Sequence, residues 1–298
     1  VPPEFPLVSL HLPMRFDDST CYLNGEFLPL AEARISVLDR GFIFGDGIYE
    51  VVPVYFRKPF RFDSHLARFE RSTREIGLAN PLSRAQWREL VDRLVATGAT
   101  DDQFIYWQVT RGPAKRDFAF PKDAEPTVFA MTSPFVRPSQ AQRTQGLQAV
   151  TRQDERWLRC DVKSISLLGA VLARQYATEQ GADEVVQFRD GHLTEGSSSN
   201  MWVVRGGTLI GAQRDHLILE GIRYGFIEEL CGTLGVPFQV ARLTPAEVAG
   251  ADELMLSSAT RELLPITRLD GRPVGTGAPG PIFERLRAGY DAAIDALR

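Results

Sequence analysis

Short strand patterns joined by tight turns occur along the whole chain and alternate irregularly with helical patterns. Turn signals lie at Asn24-Gly25, Asp190-Gly191 and Gly206-Gly207. Apolar periodicity predicts helices over 65–77, 84–96, 167–180, 222–234 and 281–297. Because these elements form neither a regular βαβ repeat nor an internal repeat, the predicted fold class is mixed α/β (α+β).

The region between residues 35 and 65 gives specific local predictions. We predict a short strand at Ile35–Asp39, a glycine-rich loop over 40–47 and a longer strand at Ile48–Phe56. Asp63 or Ser64 is expected to cap the helix that follows.

A chain of 298 residues is long enough for two domains. The segment 133–145 is punctuated by Pro134 and Pro138, which favours a linker. The start of the chain has four prolines and no basic residue before Met14, unlike a signal peptide, and Met14 is a candidate start. The predicted division is an N-terminal extension over 1–19, a small domain over 20–133, a linker over 134–140 and a larger domain over 141–298.

Composition and charge exclude several classes of protein. The net charge is −4 and the arginines are scattered among acids, so no basic face for nucleic acid is expected. No run of about 18 apolar residues occurs, so no membrane span is expected. The three cysteines form no CxxC pair, which favours a reducing compartment, the cytoplasm. The four histidines lack metal-ligand spacing, so no metal site is predicted.

Lysine is rare in this chain, and one lysine lies in an apolar segment. Only four of the 34 basic residues are lysines, and Lys163 stands in the segment DVKSISLL. Arginine cannot replace lysine as an amine nucleophile, and apolar neighbours would desolvate the ammonium and free the amine for Schiff-base chemistry. A surface lysine, or an ion pair with Asp161, remains the alternative.

Other candidate residues are less specific when taken alone. Glu195 precedes a run of small residues that would let a flat ligand approach, but it could equally be a solvated turn residue. The helix start at 221–223 and the run 257–260 could bind a phosphate through backbone N–H groups and hydroxyls. The segment 196–200 is not a GxSxG elbow, and no GxxxxGK motif occurs.

Three motifs together carry a family resemblance. The segments RGFIFGDGIYEVV (40–52), RWLRCDVKSISLLGAVL (156–172) and TEGSSSN (194–200) resemble those of fold-type-IV pyridoxal-phosphate enzymes. This group contains D-amino acid, branched-chain and (R)-amine transaminases and aminodeoxychorismate lyases, and the chain is most similar to the D-amino acid transaminases over about 20–298. The resemblance implies a homodimer, a small N-terminal α/β domain and a larger cofactor-binding domain with a mixed β pseudo-barrel and flanking helices.

The resemblance also implies roles for matching residues toward pyridoxal 5'-phosphate. Lys163 would bind the cofactor covalently and move the proton, and Glu195 would pair with the pyridine nitrogen. Arg68 would bind the phosphate bidentately. At Arg223 and Ala259, where the family has hydroxyl residues, only the backbone contribution carries over. The remaining residues implied at the cofactor are Ser199, Asn200, Ile222 and Ser258.

The substrate residues implied by the resemblance are Tyr49, near the substrate carboxylate, and Arg116, which would bind that carboxylate across a dimer interface. Phe118 stands where the close pattern has a histidine, which removes a polar partner. The predicted activity is transamination from a D-amino acid of the D-alanine type to pyruvate or 2-oxoglutarate. The alternatives are an (R)-amine transaminase, an aminodeoxychorismate lyase and a non-catalytic cofactor carrier.

Overall fold

Two β-sheets with packed helices organise residues 19–298, the part of the chain described by the computed structural model. The predicted mixed α/β class is confirmed. The predicted extension lies outside the described residues except for Ser19, as does the candidate start at Met14.

The first sheet has six antiparallel strands in the order β2-β1-β6-β5-β3-β4. Its core packs against two amphipathic helices, with Leu66 and Phe69 from one and Trp87 and Leu94 from the other buried. The strands are β1 (Thr20–Leu23), β2 (Glu26–Pro29), β3 (Gly47–Tyr55), β4 (Lys58–Pro59), β5 (Gln103–Thr110) and β6 (Thr127–Pro134), and the helices of this half are α1 (Arg40–Phe44), α2 (Phe62–Glu75) and α3 (Arg84–Thr97), with a 3-10 turn at Leu30–Glu32.

The second sheet has nine strands and is mixed. Its order is β12-β11-β10-β13-β14-β7-β8-β9, with β15 paired to β14, and the pairs β11–β12, β14–β7 and β7–β8 are parallel. Its elements are α4 (Gln140–Gln145), β7 (Leu147–Gln153), α5 (Leu168–Glu179), β8 (Glu184–Arg189), β9 (His192–Leu193), β10 (Asn200–Arg205), β11 (Thr208–Ala212), α6 (Ile222–Leu234), β12 (Phe238–Ala241), α7 (Pro245–Ala249), β13 (Glu253–Ser258), β14 (Glu262–Leu269), β15 (Arg272–Pro273) and α8 (Pro281–Asp295). The helices α6 and α8 cover its main core.

The region 35–47 differs from the sequence prediction. Ile35–Asp39 forms no strand, and the predicted loop contains the short helix α1. Asp39 caps this helix by accepting a hydrogen bond from the N–H of Gly41. Gly45 ends it at φ 68°, a left-handed conformation that glycine adopts without strain. The glycines therefore mark the end of a helix, where the sequence suggested an extended loop.

The start of α2 was also predicted wrongly. The helix begins at Phe62, and Arg61 precedes it at φ 56° without a side-chain cap. Asp63 lies inside the first turn, where its negative charge interacts favourably with the helix dipole. A carboxylate at the start of a helical pattern is thus compatible with either a cap or a first-turn position.

Both ends of the predicted linker belong to regular secondary structure. Strand β6 continues to Pro134, and α4 begins at Gln140 with Ser139 as its cap, so only 135–139 lacks regular structure. Phe135 in this short segment is buried in the core of the second sheet.

The two sheets are joined where the segment around Lys163 pairs with β3. Ile48 and Ser164 form an isolated antiparallel bridge, and the N–H of Tyr49 donates to the carbonyl of Lys163 at 3.1 Å. The N–H of Ile165 donates to the carbonyl of Gly47 at 3.0 Å. These backbone bonds fix Lys163 beside a strand that lies far earlier in the chain.

Candidate active site

A cavity of about 1020 Å³ opens where the two sheets meet. Such a volume suits a ligand of cofactor size. Both sheets contribute to its lining. Its lining includes ten of the residues singled out from the sequence: Tyr49, Arg68, Lys163, Glu195, Ser199, Asn200, Ile222, Arg223, Ser258 and Ala259.

Lys163 is half-buried in the cavity wall, and its amine forms no ion pair with the described residues. Its Nζ lies 4.2 Å from the centre of the Tyr49 ring, and its backbone N–H donates to Ser72 Oγ at 3.3 Å. Asp161, the alternative partner, pairs with Arg159 at 3.1 Å. The amine of Lys163 is therefore free to react with a carbonyl compound in the cavity.

Glu195 is buried at the cavity wall and held from three sides. Its Oε1 accepts hydrogen bonds from Arg156 and from the N–H of Leu219 at 3.1 Å, and its Oε2 accepts from Asn200 Nδ2 at 3.2 Å. Burial raises the pKa of Glu195, while the charge of Arg156 opposes this. Oε2 retains capacity for one further donor, such as a protonated ring nitrogen.

A second acid orients the arginine beside Glu195. Arg156 Nη2 lies 2.7 Å from Asp154 Oδ2, and Asp154 also contacts Arg189 at 3.0 Å. Thr194 Oγ1 donates to the same Asp154 carboxylate at 2.9 Å. The Glu195 carboxylate is thus the end of a buried network and cannot rotate without breaking several hydrogen bonds.

Arg68 is buried, but its side chain already grips a carboxylate. Its Nε donates to Glu50 Oε1 at 2.8 Å, and its Nη2 donates to Glu50 Oε2 at 2.8 Å. Its Nη1 donates to the carbonyl of Glu220 at 3.3 Å. Burial opposes ionisation of Glu50, but Arg68 and His65 lower its pKa to about 2. The bidentate edge of Arg68 that was predicted to bind phosphate therefore binds Glu50, and a phosphate would meet the remaining N–H groups on Nη1 and Nη2.

Helix α6 begins at the cavity wall. Ile222 is its first residue and Gly221 its N-cap, so N–H groups without helical partners point out of this helix start. A Cβ at Gly221 would lie 2.2 Å from Asn200 Oδ1, so any larger residue there would displace the Asn200 side chain. Ser258 and Ala259 lie at the end of strand β13 and border the same cavity, and Ser258 Oγ accepts the N–H of Arg261 at 3.0 Å.

A buried glutamate holds the small-residue turn that follows Glu195. Glu184 accepts hydrogen bonds from Ser197 Oγ at 2.6 Å, from Ser199 Oγ at 2.9 Å and from the N–H of Ser197 at 3.0 Å. The Ser199 hydroxyl is therefore used to fix the turn. Ser199 borders the cavity together with the exposed Ser198.

Cys160 also lines the cavity, but it is not a nucleophile in the resting site. Burial raises the pKa of its thiol to about 11, and its Sγ donates to the carbonyl of Trp157 at 3.1 Å. A protonated, hydrogen-bonded thiol reacts slowly with electrophiles. The amine of Lys163, which forms no ion pair with the described residues, thus remains the candidate nucleophile of the cavity.

Arg116 and Phe118 do not belong to the cavity lining. Both are exposed on the loop between β5 and β6, with Phe118 77% exposed. The guanidinium of Arg116 lies 5.5 Å from the centre of the Phe44 ring, and Phe44 does line the cavity. Arg40 anchors the loop by donating to the carbonyl of Asp117 at 2.6 Å. The backbone of the loop is therefore held around Asp117, while the side chains of Arg116 and Phe118 face outward.

Sequence reasoning missed the residues that hold the site in place. Glu50, Asp154 and Glu184 are buried acids that fix Arg68, Arg156 and the serine turn. Glu50 and Arg156 lie within the quoted motifs, which could have marked them. Asp154 and Glu184 carry no motif, and only the folded chain shows their partners.

The described residues contain no group of three or more His, Cys, Asp or Glu side chains arranged to hold a metal ion. Within residues 19–298, no helix is long and apolar enough to cross a membrane.

Comparison with known proteins relates this geometry to one family. The family described as "Amino-transferase class IV" matches residues 47–269. D-alanine aminotransferase of Staphylococcus aureus (strain MSSA476) is 40% identical over 276 residues, covering 92% of this chain and 98% of that protein. D-alanine aminotransferase of Bacillus licheniformis is 37% identical over 271 residues, covering 91% and 95%.

A solved structure shares the fold over nearly the whole chain. The branched-chain aminotransferase of the thermophilic archaeon Thermoproteus uzoniensis, solved with norvaline, has a TM-score of 0.86 at 24% identity, covering 94% of this chain and 96% of that one. The predicted fold type is thereby confirmed. The family match and the relatives of high coverage lead to one conclusion: the chain belongs to the class IV aminotransferases.

Proposed function

We propose that the chain is a pyridoxal-phosphate-dependent aminotransferase that moves the amino group of a D-amino acid, of the D-alanine type, to a 2-keto acid such as pyruvate or 2-oxoglutarate. Family membership and the D-alanine aminotransferase relatives support this activity. The observation that carries it is the placement of the unpaired Lys163 amine and the buried Glu195 carboxylate in one cavity.

The residues of the cavity fit pyridoxal 5'-phosphate. The Lys163 amine suits covalent attachment, and Glu195 Oε2 has room to accept a pyridine N–H beside Asn200. The helix start at Ile222 and the run at Ser258 and Ala259 suit a phosphate. The cofactor, when bound, supplies an aldehyde that captures amines and a ring that withdraws electrons from the substrate carbon.

The chain's own residues then perform the following tasks. Lys163 Nζ accepts the proton from the substrate α-carbon and delivers it again, since no partner among residues 19–298 holds this amine. The Glu195 carboxylate, which Arg156 orients, stabilises a positive charge on the ring nitrogen. Tyr49 borders the substrate side of Lys163, and its ring limits how the amine can move.

A homodimer is part of this proposal, because apolar residues near the cavity are exposed. Leu168 is 70% and Val171 58% exposed on α5, and Leu167 and Leu172 lie beside them. A patch of this kind marks an interaction site, and several of its members line the cavity. We propose that a second copy covers this patch and that its Arg116 binds the substrate carboxylate, the role that the family resemblance implies for this residue. Sedimentation of wild type and Leu168→Glu tests the dimer.

We also propose that the chain is divided into two domains and that the protein is located in the cytoplasm. We propose that the small domain over 20–133 and the cofactor-binding domain over 141–298 are the structural units that meet at the cavity. All three cysteines are buried and free, which suits a reducing compartment.

A donor test decides the activity. The purified protein loaded with cofactor is mixed with D-alanine, L-alanine or (R)-1-phenylethylamine, and the absorbance of the cofactor is followed in a single turnover. The proposal predicts fast conversion with D-alanine. Conversion by (R)-1-phenylethylamine alone would assign an amine transaminase, and no conversion of the cofactor by any of the three donors would contradict the proposed activity.

A further inference from the structure

The carboxylate of Asp46, just after α1, lies between two buried arginines. Arg40 Nε lies 2.8 Å from Asp46 Oδ2, and Arg111 Nε lies 2.9 Å from the same oxygen. Arg111 Nη2 also donates to Asp46 Oδ1 at 3.1 Å. Burial opposes ionisation of Asp46, but the hydrogen bonds from Arg111 and Arg40 lower its pKa. The carboxylate is therefore ionised at neutral pH and orients both guanidinium groups.

Arg40 holds the backbone of the loop between β5 and β6. Its side chain is buried, and its Nη1 donates to the carbonyl of Asp117 at 2.6 Å and to that of Ala119 at 3.3 Å. Its Nη2 donates to the carbonyl of Phe118 at 3.4 Å. Three consecutive carbonyls thus accept from one guanidinium. The backbone that directly follows Arg116 is therefore fixed by a single side chain.

Arg111 fixes the far end of the same loop. Its guanidinium lies 3.6 Å from the centre of the Phe120 ring. Its Nη1 donates to the carbonyl of Gly77 at 3.0 Å, and its Nη2 donates to the carbonyl of Ile76 at 2.8 Å. The end of α2 and the loop thus meet at one guanidinium. Both arginines that hold the loop share Asp46 as their acid partner.

The short helix α1 connects this anchor to the cavity. Phe44 lines the cavity, and the centre of its ring lies 4.8 Å from the guanidinium of Arg40 and 5.5 Å from that of Arg116. The carbonyl of Gly45 accepts a hydrogen bond at 3.0 Å from Ser166, another residue of the cavity wall. The loop and the cavity are therefore attached to the same helix.

We propose that Asp46 is a positioning residue that holds the loop over 115–120 in the conformation in which Arg116 receives the substrate carboxylate. It acts through Arg40 and Arg111, which it orients. This inference rests on the proposed function, in which Arg116 binds that carboxylate. Asparagine in place of Asp46 would keep the shape but lose the charge, and its amide nitrogen would place a donor against guanidinium donors.

A double-mutant cycle with Arg116→Ala tests this role. Asp46→Asn should raise KM for D-alanine about tenfold and change kcat less than about twofold, because the loop is misplaced while the reacting groups stay in position. If Asp46 acts through Arg116, Asp46→Asn should cause no further loss in the Arg116→Ala background. Losses that multiply would overturn the inference, as would an unchanged KM in Asp46→Asn.

Amide hydrogen exchange of the loaded protein without substrate measures the loop itself. Peptides that cover 112–120 should exchange faster in Asp46→Asn than in wild type, because the loop opens more often when its anchor is lost. Exchange at the wild-type rate would overturn the inference. If Asp46→Asn does not fold, both measurements are made with Arg40→Lys, which keeps the charge but has fewer donors for the loop carbonyls.

The matched control is Asp102→Asn. Asp102 also grips an arginine, with Arg137 Nε at 2.6 Å and Nη2 at 3.1 Å, but it lies at the opposite end of β5 from the loop and does not line the cavity. It should leave KM and loop exchange unchanged. An unchanged KM in Arg116→Ala alone would overturn the role proposed for Arg116, and this inference with it. Wild type that does not convert D-alanine would instead overturn the proposed function.

Discussion

The cavity wall and the loop over 115–120 hold their candidate residues in different ways. Glu195 and Arg68 are buried, and each is fixed by hydrogen bonds from its own chain. The side chains of Arg116 and Phe118 are exposed, and only the backbone beside them is fixed, by Arg40, which donates to the carbonyls of Asp117 and Phe118. We therefore propose that one chain builds the cofactor site by itself, and that Arg116 and Phe118 act on the substrate only when a second copy of the chain is near.

Lys163→Ala should have the largest effect and should abolish transamination, because no other described side chain in the cavity offers a free amine. The half-reaction with D-alanine measures this. Lys122→Ala, which removes an exposed lysine of the loop, is the control and should retain the wild-type rate. Turnover of Lys163→Ala at the wild-type rate would show that the amine of Lys163 is not required for the reaction.

Arg116→Ala tests the loop. A charge-assisted hydrogen bond contributes about 1.5–3 kcal/mol, so kcat/KM for D-alanine should fall roughly ten- to hundredfold. The rate with (R)-1-phenylethylamine, which has no carboxylate, should change little. Lys115→Ala removes the neighbouring exposed charge and serves as the control. Equal losses with both donors would mean that this loop does not select the substrate.

Glu195→Gln should keep the cofactor bound but slow the half-reaction about tenfold, because the ring nitrogen loses an anionic partner worth about 1.4 kcal/mol. The fold should survive, since Arg156 retains Asp154 as its partner. Glu262→Gln changes a buried, arginine-paired carboxylate outside the cavity and should not affect the half-reaction. An unchanged rate in Glu195→Gln would make Glu195 a structural residue only.

Phe118→His should have the smallest effect. Phe118 contacts Phe44, whose ring centre lies 5.5 Å away, so a histidine would add a polar group at the edge of the cavity. We expect a few-fold gain in D-alanine preference over (R)-1-phenylethylamine, measured as the ratio of kcat/KM values. Phe120→His alters another exposed ring of the loop and is the control. An opposite shift would mean that Phe118 does not limit carboxylate binding.

Predictions that depend on interactions between neighbouring residues in the sequence were more reliable than predictions that depend on contacts between distant residues. The hairpin at Asn24-Gly25 and the strand predicted at Ile48–Phe56 were confirmed, since turn chemistry and apolar alternation are local signals. The helix α1 was missed because its glycines favour loops, and its Asp39 cap acts through one backbone hydrogen bond. Motifs identified Lys163 and Glu195 as candidates for the cavity, which they line.

The partners of those residues could not be predicted. Arg68 and Glu50 are separated in the sequence by 18 positions, and Arg156 and Glu195 by 39, without a periodic signal. Buried ion pairs of this kind depend on how strands and helices pack, which no local pattern encodes. The exposure of Arg116 likewise depends on the path of a loop.

Chemical labelling of the cofactor site tests the central claim most directly. The protein loaded with pyridoxal 5'-phosphate is reduced with borohydride and digested, and the modified peptide is identified by mass spectrometry. The account predicts one label, on Lys163 in the segment DVKSISLL. A label on Lys58, Lys115 or Lys122 instead of Lys163 would contradict it.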